Sequence, residues 1–474
     1  MENTLKQKRK DNIQFYWLPV LLLLPTIWCL CRFFHFNGLY GQDGHEYYFY
    51  MKLMSAYLTG GPLPVSIFWP AMFPTIGALF SLFFSDILSL QLLSVAAAGV
   101  TYIFFCKTLN LLYPSGTQRQ RYAFLFLMCS PFFLRAALIA LPDMLCEMFL
   151  VTCWYHLIKY NKEGRTVSLL FSICLGILAI QTRYSSLLLI LPLLPTLITA
   201  IRKRYSVLLM TIAISIFALL PTVILKDHDI FQFIHHPWLV QWTPLNFFRS
   251  GYQTPEGLLL YHLPNCIYVL LLAIHPGFCF VAIPLVIVGL KLKTRFPRSW
   301  SYSLAIYLLF LAGIPFQSYR FLFLGFPLFL MMLYPAYQSI FKQSPNRHKR
   351  LLVLVLIIIL QFMLAYKAIQ PLYDYQQEEI QIALELKNYP PQKLYTFSID
   401  ASLHTYQVQQ EIINLWTFTD TYLQSGSLFL YNPSRFNIEL RETAPGKYYD
   451  NLRQQGRLSL LKSLPGGWQL YRLK

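Results

Sequence analysis

The chain has 474 residues, of which 56% are hydrophobic and only 13% charged, a composition that excludes an ordinary soluble enzyme and describes a polytopic membrane protein. A formal charge of +18 would suggest nucleic acid in a soluble protein, but residues 369–474 carry ten acidic and ten basic residues, so the whole excess lies upstream. There it sits in short clusters between apolar runs, which is the positive-inside pattern and reports topology rather than nucleic-acid binding.

Lys6, Lys8, Arg9 and Lys10 place the N-terminus in the cytoplasm, and 13–34 is expected to cross outward as an uncleaved anchor, since no small-residue cleavage site follows it. The next stretch, Gly41 to Leu58, repeats Tyr47, Met51, Met54 and Leu58 along one helical stripe and is stopped by Gly60-Gly61-Pro62. It reads as a helix in the external interface plane. Residues 69–84 are too short to span and are expected to lie on the same surface, with 87–106 returning and Asp86 as its cap. Spans then alternate: 122–141 out, 144–159 in, 167–180 out, 187–201 in, 207–225 out, 265–290 in, 300–316 out, 321–341 in and 351–367 out, each inward span ending in basic residues. The expected fold is therefore an α-helical polytopic membrane domain of about eleven spans over residues 1–368, with external loops at 35–86 and 226–263.

Beyond it, 369–474 reads as a small extracytoplasmic α/β domain, with strands at 394–399 and 427–430 and helices at 375–386 and 402–412. None of the nine cysteines falls in this region, and their spacings fit no zinc site, so core packing is the expected role. No metal or other cofactor is expected. His235-His236 could bind a metal, but the pair also fits an exposed loop.

Carboxylates are scarce before residue 369, and those at external span ends are the candidates for chemistry. Asp43, His45 and Glu46 stand together at the start of the interfacial helix; Asp43 and Glu46 also have the spacing of a capping box, so cap and catalytic base both remain open. Asp143 opens a returning span and is likewise either a cap or a functional group, with Glu147 one turn on as a paired structural carboxylate. Arg183 and Arg320 each open a returning span at headgroup height, where a guanidinium either snorkels or grips a phosphate bidentately. Lys226 and Arg249, in the second long loop, are further candidates for binding substrate.

The stretches Asp43-Gly44-His45-Glu46-Tyr47-Tyr48, Trp69-Pro70, Leu141-Pro142-Asp143, Gln181-Thr182-Arg183 and Gln317-Ser318-Tyr319-Arg320-Phe321 resemble, in order and spacing, the integral-membrane GT-C glycosyltransferases. The likeness is to relatives of protein mannosyltransferases and lipid A aminoarabinose transferases. This resemblance implies an inverting transfer from a polyprenyl-phosphate sugar to a hydroxyl of a lipid, glycan or protein acceptor on the outer face of a bacterial inner membrane. It implies Asp43 as base, Asp143 as the second acidic position, and Arg183 and Arg320 near the donor phosphate. His45 and Tyr47, in the same stretch as Asp43, are further candidates for binding substrate. Many members carry adjacent acidic residues in the first loop; here Gly44 and His45 intervene, leaving open whether Glu46 or His45 shares the work. A transporter or flippase would instead place charges near mid-bilayer in two related halves, and an O-antigen ligase or polymerase would centre on a late external loop.

Overall fold

A computed structural model describes residues 18–23, 25–64, 69–115, 118–225, 237–254, 257–279, 282–292, 296–343, 347–419 and 422–474. Helix α1 (Leu18–Phe34) leads into α2 (Gly41–Leu58), α3 (Met72–Ser81) and α4 (Asp86–Leu112). At ten residues α3 is about 15 Å long, too short to cross, and it packs on α2 instead. Gly77 allows this: a Cβ there would fall 2.4 Å from Leu90 of α4 and 3.2 Å from Met51 of α2. Asp86 is the first helical residue rather than the cap, which is Ser85.

The span expected over 122–141 is broken. Helix α5 (Arg119–Ala123) runs into a π turn at Phe124–Met128, and α6 (Pro131–Leu138) restarts at a 66° bend. Pro131 supplies no N–H, so it sits where a helix begins. Next come α7 (Pro142–Glu163), α8 (Thr166–Thr182), α9 (Leu193–Lys203), α10 (Ser206–Leu225) and α11 (Pro237–Val240). A hairpin of β1 (Gly251–Thr254) and β2 (Gly257–Leu260) follows. The stretch expected as one span over 265–290 is α12 (Asn265–Ile274), α13 (Pro276–Cys279) and α14 (Ala282–Lys291). His275 is extended because Pro276 follows it.

Helices α15 (Arg298–Gly313), α16 (Tyr319–Gln343) and α17 (Arg347–Leu386) complete the bundle. Among the described residues α4, α16 and α17 are each long and apolar enough to cross a membrane, and the bent α5–α6 pair adds a fourth. The remaining apolar helices are shorter or proline-broken. Their buried aromatics knit them together: Tyr122 packs on Phe126, Tyr334 and Tyr337, and its hydroxyl donates to the Leu330 carbonyl at 2.6 Å.

At 40 residues, α17 is about 60 Å long and runs without a break through residue 368, so bundle and C-terminal region share one helix. Beyond it β3 (Lys393–Thr396), α18 (Asp400–Thr405), β4 (Glu411–Asn414), β5 (Leu428–Tyr431), α19 (Pro433–Glu439), α20 (Ala444–Gln454), β6 (Leu458–Ser463) and β7 (Gln469–Leu473) form a five-stranded sheet of order β4-β3-β5-β7-β6. The helix expected over 402–412 ends at Thr405; Gln407 takes a positive φ of 55° and turns the chain into β4. Helix α18 is thus the crossover that parallel β3 and β4 require. Central β5 is buried at every position, which suits its unbroken Leu-Phe-Leu-Tyr run.

Candidate functional site

Four charged side chains from four helices converge at one end of the bundle. Gly41, at φ +62°, turns the chain into α2, whose N-cap is the extended Tyr40 with no side-chain hydrogen bond. Asp43 is therefore the third residue of the helix and not a cap. Asp143, second in α7 after Pro142, is no cap either, since extended Leu141 holds that place. Arg183 is extended just past α8, and Arg320 is the second residue of α16.

Arg320 binds both carboxylates at once: its Nη1 donates to Asp43 Oδ2 and its Nε to Asp143 Oδ2, each at 2.8 Å. On the far side, Asp143 Oδ1 lies 2.5 Å from Arg183 Nη2, and the Arg183 guanidinium sits over the Phe321 ring. The result is an alternating row, Asp43–Arg320–Asp143–Arg183. Exposure falls from 40% at Asp43 through 30% at Arg320 to 5% at Asp143, and is 15% at Arg183. Asp43 is thus the end a water-borne reactant can reach.

At the Arg183 end lies a cavity of about 260 Å³ walled by Tyr47, Trp69, Leu188, Phe310, Ile314 and Phe321. The buried Nε of Arg183 has no hydrogen-bond acceptor among the described residues. An apolar chamber with one arginine at its end suits an amphiphile with an anionic head.

Glu46 lies one turn from Asp43 and accepts from Trp69 Nε1 at 3.1 Å. Burial raises its carboxyl above the ordinary range, the Trp69 bond opposes this, and Asp43 and Asp400 add to it. Tyr47 packs edge-on against Phe73 and lines the cavity. His45 points the other way, into the C-terminal region, where its Nε2 is 3.2 Å from Glu379 Oε2. Arg249 is exposed at the foot of the β1–β2 hairpin and makes no ion pair among the described residues. Lys226, His235 and His236 lie outside those residues. Glu147 is buried, and among the described residues neither of its oxygens has a hydrogen-bond partner, so it is not paired there as its position suggested. No group of three or more His, Cys, Asp or Glu among the described residues converges on a metal-sized space.

Two neighbours escaped the reading of the sequence. Trp69 was visible only as part of a motif, and its bond to Glu46 depends on how α3 docks. Arg135, on α6, lies against the Tyr40 ring and lines a small cavity with Asp143 and Arg320. Its signal was a lone arginine inside an apolar run.

The row also predicts how stability divides. Asp143→Asn strips the countercharge from two mostly buried guanidiniums and should cost about 3–5 kcal/mol. Asp43→Asn removes a pair whose acid is 40% exposed and should cost about 1 kcal/mol or less. Thermal unfolding of the purified variants in one detergent measures both, and equal shifts would show that the row does not bear on stability through Asp143.

Comparison with known proteins agrees with this architecture. Residues 62–393 match the Alg9-like mannosyltransferase family, a stretch containing Asp143, Arg183 and Arg320 but beginning after Asp43. Among solved structures, ArnT from Cupriavidus metallidurans bound to undecaprenyl phosphate superposes with a TM-score of 0.61 at 12% identity, covering 95% of this chain and 97% of that one. The apo state of the same protein gives 0.59 at 11% identity, covering 94% and 97%. At such identities the likeness is one of fold. No curated protein sequence matches. The family match spans well over half of the chain, which therefore belongs to the Alg9-like mannosyltransferases and is an integral-membrane glycosyltransferase of the GT-C type.

Proposed function

We propose that the enzyme moves a sugar from a polyprenyl-phosphate donor to a hydroxyl of a lipid, glycan or protein acceptor, with inversion, on the extracytoplasmic face of a bacterial inner membrane. The observation that carries this reading is the row of alternating charges that joins an apolar cavity to an open carboxylate. The polyprenyl chain lies in the cavity and its phosphate meets Arg183, whose free Nε offers a donor. That one solved structure of the same fold holds undecaprenyl phosphate supports this choice of lipid.

In the transfer, the acceptor oxygen forms a bond to the anomeric carbon opposite the phosphate. The bond from that carbon to the phosphate oxygen breaks, and its electron pair leaves with the phosphate. The acceptor's proton passes to Asp43. Arg183 and Arg320 stabilise the charge gathering on the leaving phosphate. A second reading makes Glu46 the base, because burial already gives it a higher proton affinity than an ordinary carboxylate.

These roles separate in one assay, in which undecaprenyl-phosphate donors carrying mannose, glucose or aminoarabinose are offered with lipids and glycans from host cells, and products are read by mass spectrometry. Asp43→Asn should keep the fold and lower turnover by roughly 10²–10⁴-fold. Near-normal turnover in that variant moves the role to Glu46. In that case Glu46→Gln abolishes transfer, and the wild-type rate falls on acidification through a pKa above the usual carboxylate range, since a base works only when deprotonated.

Replacing Arg183 or Arg320 by Lys retains charge but loses the planar fork. Donor KM should rise several-fold in each, with thermal stability largely kept. Unchanged donor KM in both the Lys and Gln variants would return the arginines to a purely structural part.

The reading also requires about eleven crossings, N-terminus inside and C-terminus outside, with short and broken helices sharing the bundle. On a background lacking the nine native cysteines, single cysteines at 60 and 404 should react with an impermeant maleimide from outside, and one at 118 should not. All three positions lie in exposed turns or helix surface. Protection of 60 with labelling of 118 would reverse the orientation.

A further inference from the structure

The first turn of α2 has two opposite faces of contact. Asp43 meets Arg320 of the bundle, while His45, two residues on, is fully buried against the C-terminal region. Its Nε2 lies 3.2 Å from Glu379 Oε2, near the end of α17, and its Nδ1 lies 2.9 Å from the Thr405 hydroxyl of α18. Glu379 is only 2% exposed. Burying an imidazole and a carboxylate together away from water is expensive, and apolar residues of similar size would pack there at lower cost. Such a pair is retained more readily where it fixes one geometry than where it merely adds stability.

The contacts around it have the same sense. The Asn37 N–H donates to Gln376 Oε1 at 3.2 Å, and Gln376 stands one helical turn before Glu379 on the same face of α17. The Ala401 N–H donates to Gln42 Oε1 at 3.4 Å. Residues 37, 42 and 45 bracket Asp43, and each is held by a residue beyond 369. Gly41 and Gly44 make this turn intrinsically loose, so its position depends on what grips it.

We infer that His45 and Glu379 are positioning residues: through them the C-terminal region clamps the first turn of α2 and sets the Asp43 carboxylate against Arg320. This rests on Asp43 being the base. A displacement of about 1 Å at a reacting group costs on the order of 10²-fold in rate, so the clamp acts on turnover and leaves the donor's lipid cavity alone.

The test uses full-length protein in the donor assay above, with kcat and donor KM measured for each variant. His45→Ala and Glu379→Ala should each lower kcat by about 10–10²-fold with donor KM within about twofold, and the double variant should be no worse than the poorer single one. Glu379→Gln retains an acceptor for the ring nitrogen and should recover most of the turnover. Binding of undecaprenyl phosphate alone, read by thermal shift, should be equal in all of them. Should His45→Ala fail to fold, Thr405→Val probes the same clamp more gently and should lower kcat without raising KM.

Normal kcat with reduced thermal stability in the alanine variants would overturn the inference, leaving the pair as structural cement. Additive losses would overturn it too, because the residues would then act separately. If those variants behave as expected while Asp43→Asn keeps full turnover, the clamp serves some group other than Asp43, and the assignment of the base has failed instead.

Discussion

Asp143 is the interaction on which the site depends. It is 5% exposed and faces two guanidiniums, one on each oxygen. A buried, ionised carboxylate is tolerable only when paired, and two mostly buried guanidiniums need an anion just as badly. Satisfying all three pins α7, the end of α8 and the start of α16 at one level. Through Arg320 the constraint reaches α2, 277 residues away in sequence. Helices α2, α7 and α16 begin, and α8 ends, at this common level.

Charge neutrality along the row has a chemical consequence. Two carboxylates and two guanidiniums cancel, so the resting site is stable without a ligand. The cancellation is uneven in space. Asp143 is enclosed between the two guanidiniums, whereas the Asp43 side chain is 40% exposed. Arg183 faces the cavity with a nitrogen to spare.

The C-terminal region is more than an appendage on this site. Because α17 continues from the bundle without a break, the sheet that follows is joined to it by a helix and not by a linker. Its crossover helix α18 lies on α2. The first-loop helix is therefore gripped from both sides, by charge from the bundle and by buried hydrogen bonds from the sheet domain.

What the sequence determined by itself was whatever depends on local chemistry. Apolar runs and basic clusters gave a helical membrane protein, because the cost of placing charge or bare backbone in lipid is paid residue by residue. The same cost singled out Asp43, Asp143, Arg183 and Arg320, charges too few and too well placed at span ends to be incidental. The helix α2 and the short α3 were legible from periodicity and length. The tertiary structure alone decided how these pieces face one another. Asp43 and Asp143 have the local look of helix caps, yet Tyr40 and Leu141 hold those places and the carboxylates turn to the arginines. His45 and Glu46 lie side by side in sequence but point to different partners, Glu379 and Trp69, hundreds and tens of residues away. Arg135 has no motif around it, and Glu147, expected to be paired, has no hydrogen-bond partner among the described residues. Pairing between distant residues leaves no periodic trace, because only packing of the helices sets which face of each turn meets which neighbour.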